Sequence, residues 1–470
     1  MTGAGDGRTA TRRATHAVLA LAIGLRVALA LVNREANDPH LPVVRILADE
    51  GRSPGVTEVW EAFQPKLYHL AVALVWRLLA LRDDTARLLA AQLVSAAAGV
   101  LTVLVLHRFL DARILDPRAR LLVFALAALN PGVVAIGAQA TNDATVIALG
   151  AVTVATATRF FATQRRRDLV ATTAAAALAI LAKGNAVVLP LAMLATFAVA
   201  LVRGAHGTRG TAARRTIAAR AAGFAAVCVA TAALLGPYVE IHRRYGSPLS
   251  NPALAATAPP RLVAHTDVQR PGVRSVSDAL LTFRLVDMLR RPTTSNDDGL
   301  RELHRTSLWS QLYGRASFSR FASHPPGWAT TDPAVLRLGR VLLLLNLVTA
   351  LLLAVGLVRA LGFCATVLAG RTPLDAATLQ RTFLAIVAWG YLALVTAYSL
   401  RFRDFAGMKE IFLYPGLLAF VAILGGELER LARAPRRMAW RALAACGTVL
   451  ALADVLDVAL LIRDLALRLA

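Results

Sequence analysis

Charge is scarce in this 470-residue chain: Asp, Glu, Lys and Arg together make up 17% of it, against roughly a quarter in soluble globular domains. That stock cannot cover a water-facing surface of ordinary size, which argues against a soluble globular protein. Cysteine is scarcer still. The three present, Cys228, Cys364 and Cys446, lie far apart in or beside apolar runs, where they act as small packing residues and form no disulfide or metal framework. Acidic residues are few, 29 against 52 Lys and Arg. Also missing are a His-Glu-x-x-His helix, a Cys-x-x-Cys pair and a Gly-rich phosphate loop ending in Lys-Ser/Thr. No cytosolic nucleotide-binding unit is present to serve a nucleotide-sugar enzyme. No internal repeat points to a transporter built from inverted halves.

Apolar residues are what the chain has in abundance, 57% of the total with a mean hydropathy of +0.56. Runs near the length that crosses a bilayer core recur along nearly all of it. The run at 17–32 is long enough to stay in the membrane, and no small-residue cleavage site follows it, so no cleaved signal peptide is expected. The net charge of +23 would suggest nucleic acid on a soluble chain. Here the arginines sit in short loops between apolar runs, the pattern of topogenic charge, and no nucleic-acid partner is expected.

Those loops fix an expected topology. Arg8, Arg12 and Arg13 precede the first run, and Arg108, Arg113, Arg118 and Arg120 form a second basic cluster. Further clusters are Arg159 with Arg165–Arg167, then Arg203, Arg209, Arg214, Arg215 and Arg220, and last Arg430, Arg433, Arg436, Arg437 and Arg441. Placing all of them in the cytoplasm requires an even number of crossings between successive clusters. The short run 67–81, interrupted by Arg77, then cannot cross and is expected to lie as a helix at the outer membrane face. The spans read as 16–32, 86–107, 119–137, 143–163, 169–182, 185–202, 223–240, 336–360, 382–400, 410–426 and 442–462, an all-α polytopic membrane protein of about eleven crossings. The expected organisation is a cytoplasmic basic tail (1–15), a catalytic membrane module (16–240) with an external loop at 33–85, a large external loop (241–335) and C-terminal transmembrane helices (336–470).

Acidic residues on the outer side carry the expected chemistry. Asp38 lies just past the first span, where a partly desolvated carboxylate suits a general base and where Asn-Asp-Pro also suits a helix cap. In "EAFQPKLYHL", Pro65 opens a helix whose first turn holds Lys66, Tyr68 and His69. A cation beside free helix amides can hold an anion, and Glu61 stands one loop turn away. Lys66 can equally snorkel at the interface. Asp143 stands at the start of the run 143–163, where it can cap that helix.

Together these stretches resemble the C-type (GT-C) integral-membrane glycosyltransferases, and among them the bacterial protein O-mannosyltransferase and lipid A aminoarabinose transferase group. The resemblance runs through Asp38-x-His40, "VVRILADEGRSP", Pro65, Leu67 and Tyr68, then Ala86-Arg87-Leu88 before the second span. It continues in "ALNPGVVAIGAQATNDATVIALG", "ILAKGNAVVLPLAML", "SLWSQLYG" and "MKEIFLYPGLLAF". The chain departs from the family pattern at Asn37-Asp38, where many members carry Asp-Glu, at Lys66 in place of a second Pro, and at Ile411-Phe412 in place of Arg-Tyr.

The resemblance implies a sugar transferred from a polyprenyl-phosphate donor to a lipid, glycan or protein acceptor outside the cytoplasm, by one inverting displacement. Asp38, Glu61 and Asp143 are the expected catalytic carboxylates. Lys66, His40, Tyr68, Arg401, Arg403 and Lys409 are the expected phosphate-binding set. No metal ligand set is identified, and a divalent metal stays open as a cofactor. The composition matches a GC-rich bacterial genome, so the expected location is the bacterial inner membrane. The competing class is a transporter or flippase of a lipid-linked anion. It fits less well because the acidic residues gather at one face and not at the midplane.

Overall fold

The structure is a computed structural model that describes residues 3–36, 38–205, 211–233, 236–246, 276–293, 303–321, 328–402, 408–435 and 437–469. Those residues form helices and connecting turns, with no β-strand among them. In chain order the helices are α1 (Gly3–Val32), α2 (Leu41–Arg45), α3 (Leu67–Leu78), α4 (Asp84–Asp111), α5 (Pro117–Ala128), α6 (Pro131–Ile136), α7 (Asn142–Thr163), α8 (Arg166–Ala182) and α9 (Val188–Ala205). They continue with α10 (Thr211–Ala233), α11 (Gly236–Tyr245), α12 (Val276–Leu281), α13 (Leu285–Arg290), α14 (Leu308–Ser317), α15 (Pro333–Leu368), α16 (Ala376–Phe402), α17 (Leu417–Arg433) and α18 (Arg437–Ala466).

Helix starts follow local chemistry. Asp83 Oδ2 accepts from the Ala86 amide at 2.8 Å and opens α4. Asp116 accepts from Arg118 and Ala119, both at 2.9 Å, with Pro117 in the first helical position of α5. Asp332 does the same for α15 at Ala334, 2.8 Å away, again ahead of a proline.

Among the described residues, eight helices are long and apolar enough to cross a bilayer: Thr9–Val32, Asp84–Asp111, Asn142–Thr163, Gly184–Arg203, Arg215–Ala233, Pro333–Leu368, Ala376–Leu400 and Met438–Ala466. The chain is a multi-pass membrane protein. Three expected spans take another form. Asn130-Pro131 breaks 119–137 into α5 and α6, because Pro131 cannot donate to the α5 ladder and the Asn130 side chain caps a new start at the Val133 amide, 3.2 Å away. The 169–182 region belongs to α8, of 17 residues. The 410–426 region begins as two 3-10 turns and becomes helical only at Leu417, reaching Arg433.

The expected surface helix is α3, 12 residues long. At a rise of about 1.5 Å per residue it covers roughly 18 Å, too little for a core of about 30 Å. Its Tyr68, Val72, Ala73 and Trp76 pack with Val43, Val44 and Leu47 into a small apolar core separate from the main bundle. Arg87 pins this unit to α4: it pairs with Asp49 at 2.6 Å, lies 4.8 Å over the Trp76 ring, and its carbonyl accepts from Trp76 Nε1 at 2.9 Å.

Candidate active site

The candidate site forms where one end of the helix bundle meets the loop at 33–85. The C-terminal ends of α1 and α8, the N-terminal end of α7 and the turns before α17 all arrive there. Asp38 follows α1 and keeps 31% of its side chain exposed. Its Oδ2 stands 3.3 Å from Nε2 of His40, which is fully buried. His40 Nδ1 lies 3.0 Å from His69 Nε2 on α3. Burial pulls the His69 ring well below the usual histidine range, so it is neutral and its Nε2 can accept. Burial acts on His40 in the same sense, but Asp38 and Glu61 overcome it and raise the ring above the usual histidine range. When protonated, His40 donates from both nitrogens, one to Asp38 and one to His69. Burial would push Asp38 up, yet the His40 charge and hydrogen bond, with Lys409 and Lys183 beyond, keep it below the ordinary carboxylate range.

A second line of contacts runs through α7. Thr141 caps that helix by accepting from the Asp143 amide at 3.2 Å, donates to Asp143 Oδ2 at 3.1 Å and sits 3.5 Å from His40 Nε2. Asp143, 2% exposed, takes Lys183 Nζ at 2.7 Å, and that ammonium lies 5.6 Å over the Phe412 ring. A third line ties the loop down: Gln64 donates to Glu61, while Asn142 Nδ2 donates to Gln64 Oε1 at 2.5 Å and to the Ala182 carbonyl at 3.2 Å. Glu61 is buried. Desolvation, with the Asp38 charge added, pushes its carboxyl up against the pull of His40, Lys183 and Lys409. Two neighbouring carboxyls are thus driven in opposite directions, Asp38 toward the anion and Glu61 toward the acid.

Of the expected residues, Asp38, Glu61, Asp143 and Lys409 act on one another electrostatically, directly or through Lys183 and Glu410. Lys66 precedes α3 and turns its ammonium to the carbonyls of Ala62 and, at 2.8 Å, Gln64. Burial lowers it to about 8, against a pull upward from Glu61. His40 and Tyr68, expected at the donor phosphate, have no exposed surface. His40 backs Asp38, and Tyr68 donates to the Ala91 carbonyl at 3.3 Å inside the small core. The Arg401 side chain and Arg403 lie outside the described residues.

Lys183, His69, Thr141, Asn142 and Gln64 were not expected in the site. A countable signal existed for Lys183. The sequence holds only three lysines, Lys66, Lys183 and Lys409, among 52 basic residues. All three bear on Glu61. In a chain that writes arginine almost everywhere, three compact ammonium groups in one place mark a site that a planar guanidinium does not suit.

The residues do not fit a divalent metal. Asp143 is committed to an ammonium and Asp38 to the His40 ring, and among the described residues no group of three or more His, Cys, Asp or Glu side chains is placed to hold an ion.

Residues 69–234 match the family described as dolichyl-phosphate-mannose-protein mannosyltransferase. A comparison with curated proteins returns no match. Among solved structures the chain is similar to the oligosaccharyltransferase of Archaeoglobus fulgidus in its apo form, with a TM-score of 0.50 and 13% identity over 96% of this chain and 56% of that one. The same organism's AglB, in complex with an inhibitory peptide and a dolichol-phosphate, gives 0.48 and 13% over 96% and 56%. ArnT from Cupriavidus metallidurans, bound to undecaprenyl phosphate, gives 0.36 and 16% over 88% and 77%. The chain thus spans little more than half the length of the archaeal enzyme. The family match covers residues 69–234, about a third of the chain, and the likeness to the archaeal structure is one of helical fold.

Proposed function

We propose that this protein transfers a sugar from a polyprenyl-phosphate donor to an acceptor hydroxyl or amine at the outer face of a bacterial inner membrane, with inversion at the anomeric carbon. The acceptor lone pair forms the new bond to that carbon as its bond to the phosphate oxygen breaks. The electron pair leaves on the polyprenyl phosphate, and the acceptor proton goes to Asp38. A carboxylate held ionised and partly exposed suits that step. The buried His40–His69 pair behind it fixes its orientation. Lys66, Lys183 and Lys409 supply the positive charge that a departing phosphate needs, and with them no general acid is required. Glu61, pushed toward its protonated form, can donate a hydrogen bond to the sugar or the phosphate.

The observation that carries the reading is the meeting of Asp38 with Asp143 and Lys183 in one network, though Asp38 lies over a hundred residues from either in sequence. The dolichyl-phosphate donor in the matched family's description supports the lipid-phosphate half of it. Replacing Asp38 by Asn tests it, with transfer measured on purified protein from a radiolabelled polyprenyl-phosphate sugar. Turnover should fall by about 100-fold or more, the scale of a positioned base, while thermal unfolding stays near that of the wild type. Near-normal turnover would remove Asp38 from the role and leave Glu61 or Asp143 to take it.

A further inference from the structure

Two clefts open at the end of the bundle opposite the Asp38 site. Their volumes are about 690 and 640 Å³. They lie between the far ends of helices that also build the site: the C-terminal ends of α4, α7 and α17 and the start of α16. Arg113 and Arg381 line both clefts and form the wall between them. Arg113 Nη1 reaches only the neutral Gln380 Oε1, at 3.4 Å, with its guanidinium 5.3 Å over Phe109. Arg381 lies 5.9 Å over Phe363. Among the described residues neither has a carboxylate partner, and Arg108 in the second cleft has none either.

Other arginines around the clefts are neutralised. Arg359 and Arg430 share Glu427, Arg433 is paired with Glu429 at 2.7 Å, and Arg159 with Asp168 at 3.1 Å. The fold thus neutralises the rim and leaves the shared wall cationic. Burial lowers Arg113 to about 10, and the Arg381 charge adds to that, so each guanidinium sits in the other's field. Topogenic arginine explains why positive charge gathers at this end. It does not explain why two guanidiniums, one half-buried and one exposed, share a cleft wall with no carboxylate between them, an arrangement that an anion would relieve.

We infer that the Arg113–Arg381 wall binds the phosphate of an anionic phospholipid. Below the arginines the walls are apolar, with Val105, Phe109 and Ala155 on one side and Phe363, Leu384 and Ile423 on the other. A ligand with a charged phosphate and hydrocarbon beneath it matches both layers, and basic pockets between transmembrane helices on the cytoplasmic side are where such head groups bind. Two forked guanidiniums offer the bidentate geometry that phosphate oxygens accept. This site is separate from the Asp38 network, and the inference does not rest on the proposed transfer reaction.

The test compares the purified full-length protein with the Arg113→Gln/Arg381→Gln variant by native mass spectrometry and thermal unfolding. Each is measured in detergent with added phosphatidylglycerol, phosphatidylcholine or inorganic phosphate. Phosphatidylglycerol should stay bound to the wild type and raise its unfolding temperature by several degrees, whereas the variant should bind it at least ten-fold more weakly. In phosphatidylcholine the variant should unfold at or above the wild-type temperature, because the like-charge pair is gone. If the double variant is poorly folded, Arg381→Gln alone, at an exposed position, should still lose most of the shift. Equal stabilisation by both lipids, or a variant that holds phosphatidylglycerol as tightly as the wild type, would overturn the inference. So would an equal shift from inorganic phosphate at matched concentration, which would make the ligand a soluble phosphate.

Discussion

Lys183 and Asp143 form a buried ion pair on which both the fold and the proposed chemistry would depend. Asp143 is 2% exposed and the ammonium at 2.7 Å is its counter-charge. Lys183→Met should therefore cost about 3–5 kcal/mol, the usual penalty for leaving one ion of a buried pair alone. Adding Asp143→Asn should recover most of that stability in thermal unfolding, while sugar transfer stays lost. A single variant as stable as the wild type would show that the pair is solvated. Lys66 gives a pH signature. Burial lowers it to about 8, so its charge is lost as pH rises through that value. The kcat/KM for donor, which follows the free enzyme, should then decline about tenfold per unit above pH 8. Lys66→Arg should carry the decline beyond the measurable range, and an unchanged profile would remove Lys66 from the donor site. That Asp38, Glu61 and Asp143 lie near one another was suggested by sequence alone, since each is a carboxylate beside an apolar run in an acid-poor chain. The roles of His40 and Tyr68 were not, since a polar residue in a loop carries no mark of whether it faces the cavity or backs another side chain.

Elements were legible where one rule governs them. The parity of the basic loops and the brevity of 67–81 both indicated a helix that does not cross, and α3, at 12 residues, is shorter than the helices long and apolar enough to cross a bilayer. Spans at 119–137 and 410–426 were harder to read because hydropathy averages over a break. Asn130-Pro131 and the 3-10 turns at 410–416 leave the apolar run intact while ending the hydrogen-bond ladder. The second break brings backbone against α7: a Cβ on Gly150 would collide with the Pro415 carbonyl oxygen. Alanine is the better helix former by about 1 kcal/mol, yet here an atom would meet backbone that cannot turn aside, and overpacking costs about 1–3 kcal/mol. Gly150→Ala should thus be destabilising on balance. It should also slow transfer, because Lys409 and Glu410 sit just before the displaced turn. Gly362→Ala, on α15 with nothing within 4 Å of the added carbon, is the control and should be neutral or slightly stabilising in the same melt.

At the scale of the whole molecule, the Asp38 network and the arginine clefts lie at opposite ends of the same helices, so the orientation of one helix orients both. Helix α4 has 28 residues, which at about 1.5 Å each gives roughly 42 Å, more than enough to cross a core of about 30 Å. Arg82, just before it, is exposed beside the Asp38 end, and Leu115, just after it, is 74% exposed beside the arginine clefts. The distribution of arginine predicts that the Leu115 end faces the cytoplasm. Sequence could suggest that polarity because loop charge is a local property, whereas the convergence of α1, α7, α8 and the turns before α17 depends on packing between distant segments. A labelling experiment checks the polarity. Cys228, Cys364 and Cys446 are first replaced by alanine, and single cysteines are then introduced as Arg82→Cys and Leu115→Cys. Neither position is a cap or an ion-pair partner that the fold depends on. In intact cells a membrane-impermeant maleimide should label position 82 and leave position 115 unmodified until the membrane is opened. The reverse pattern would turn the molecule over, bringing the Asp38 site to the cytoplasm and the arginine clefts outside. Equal labelling of both in intact cells would mean that α4 does not cross, and the even count between basic loops on which the orientation rests would fail with it.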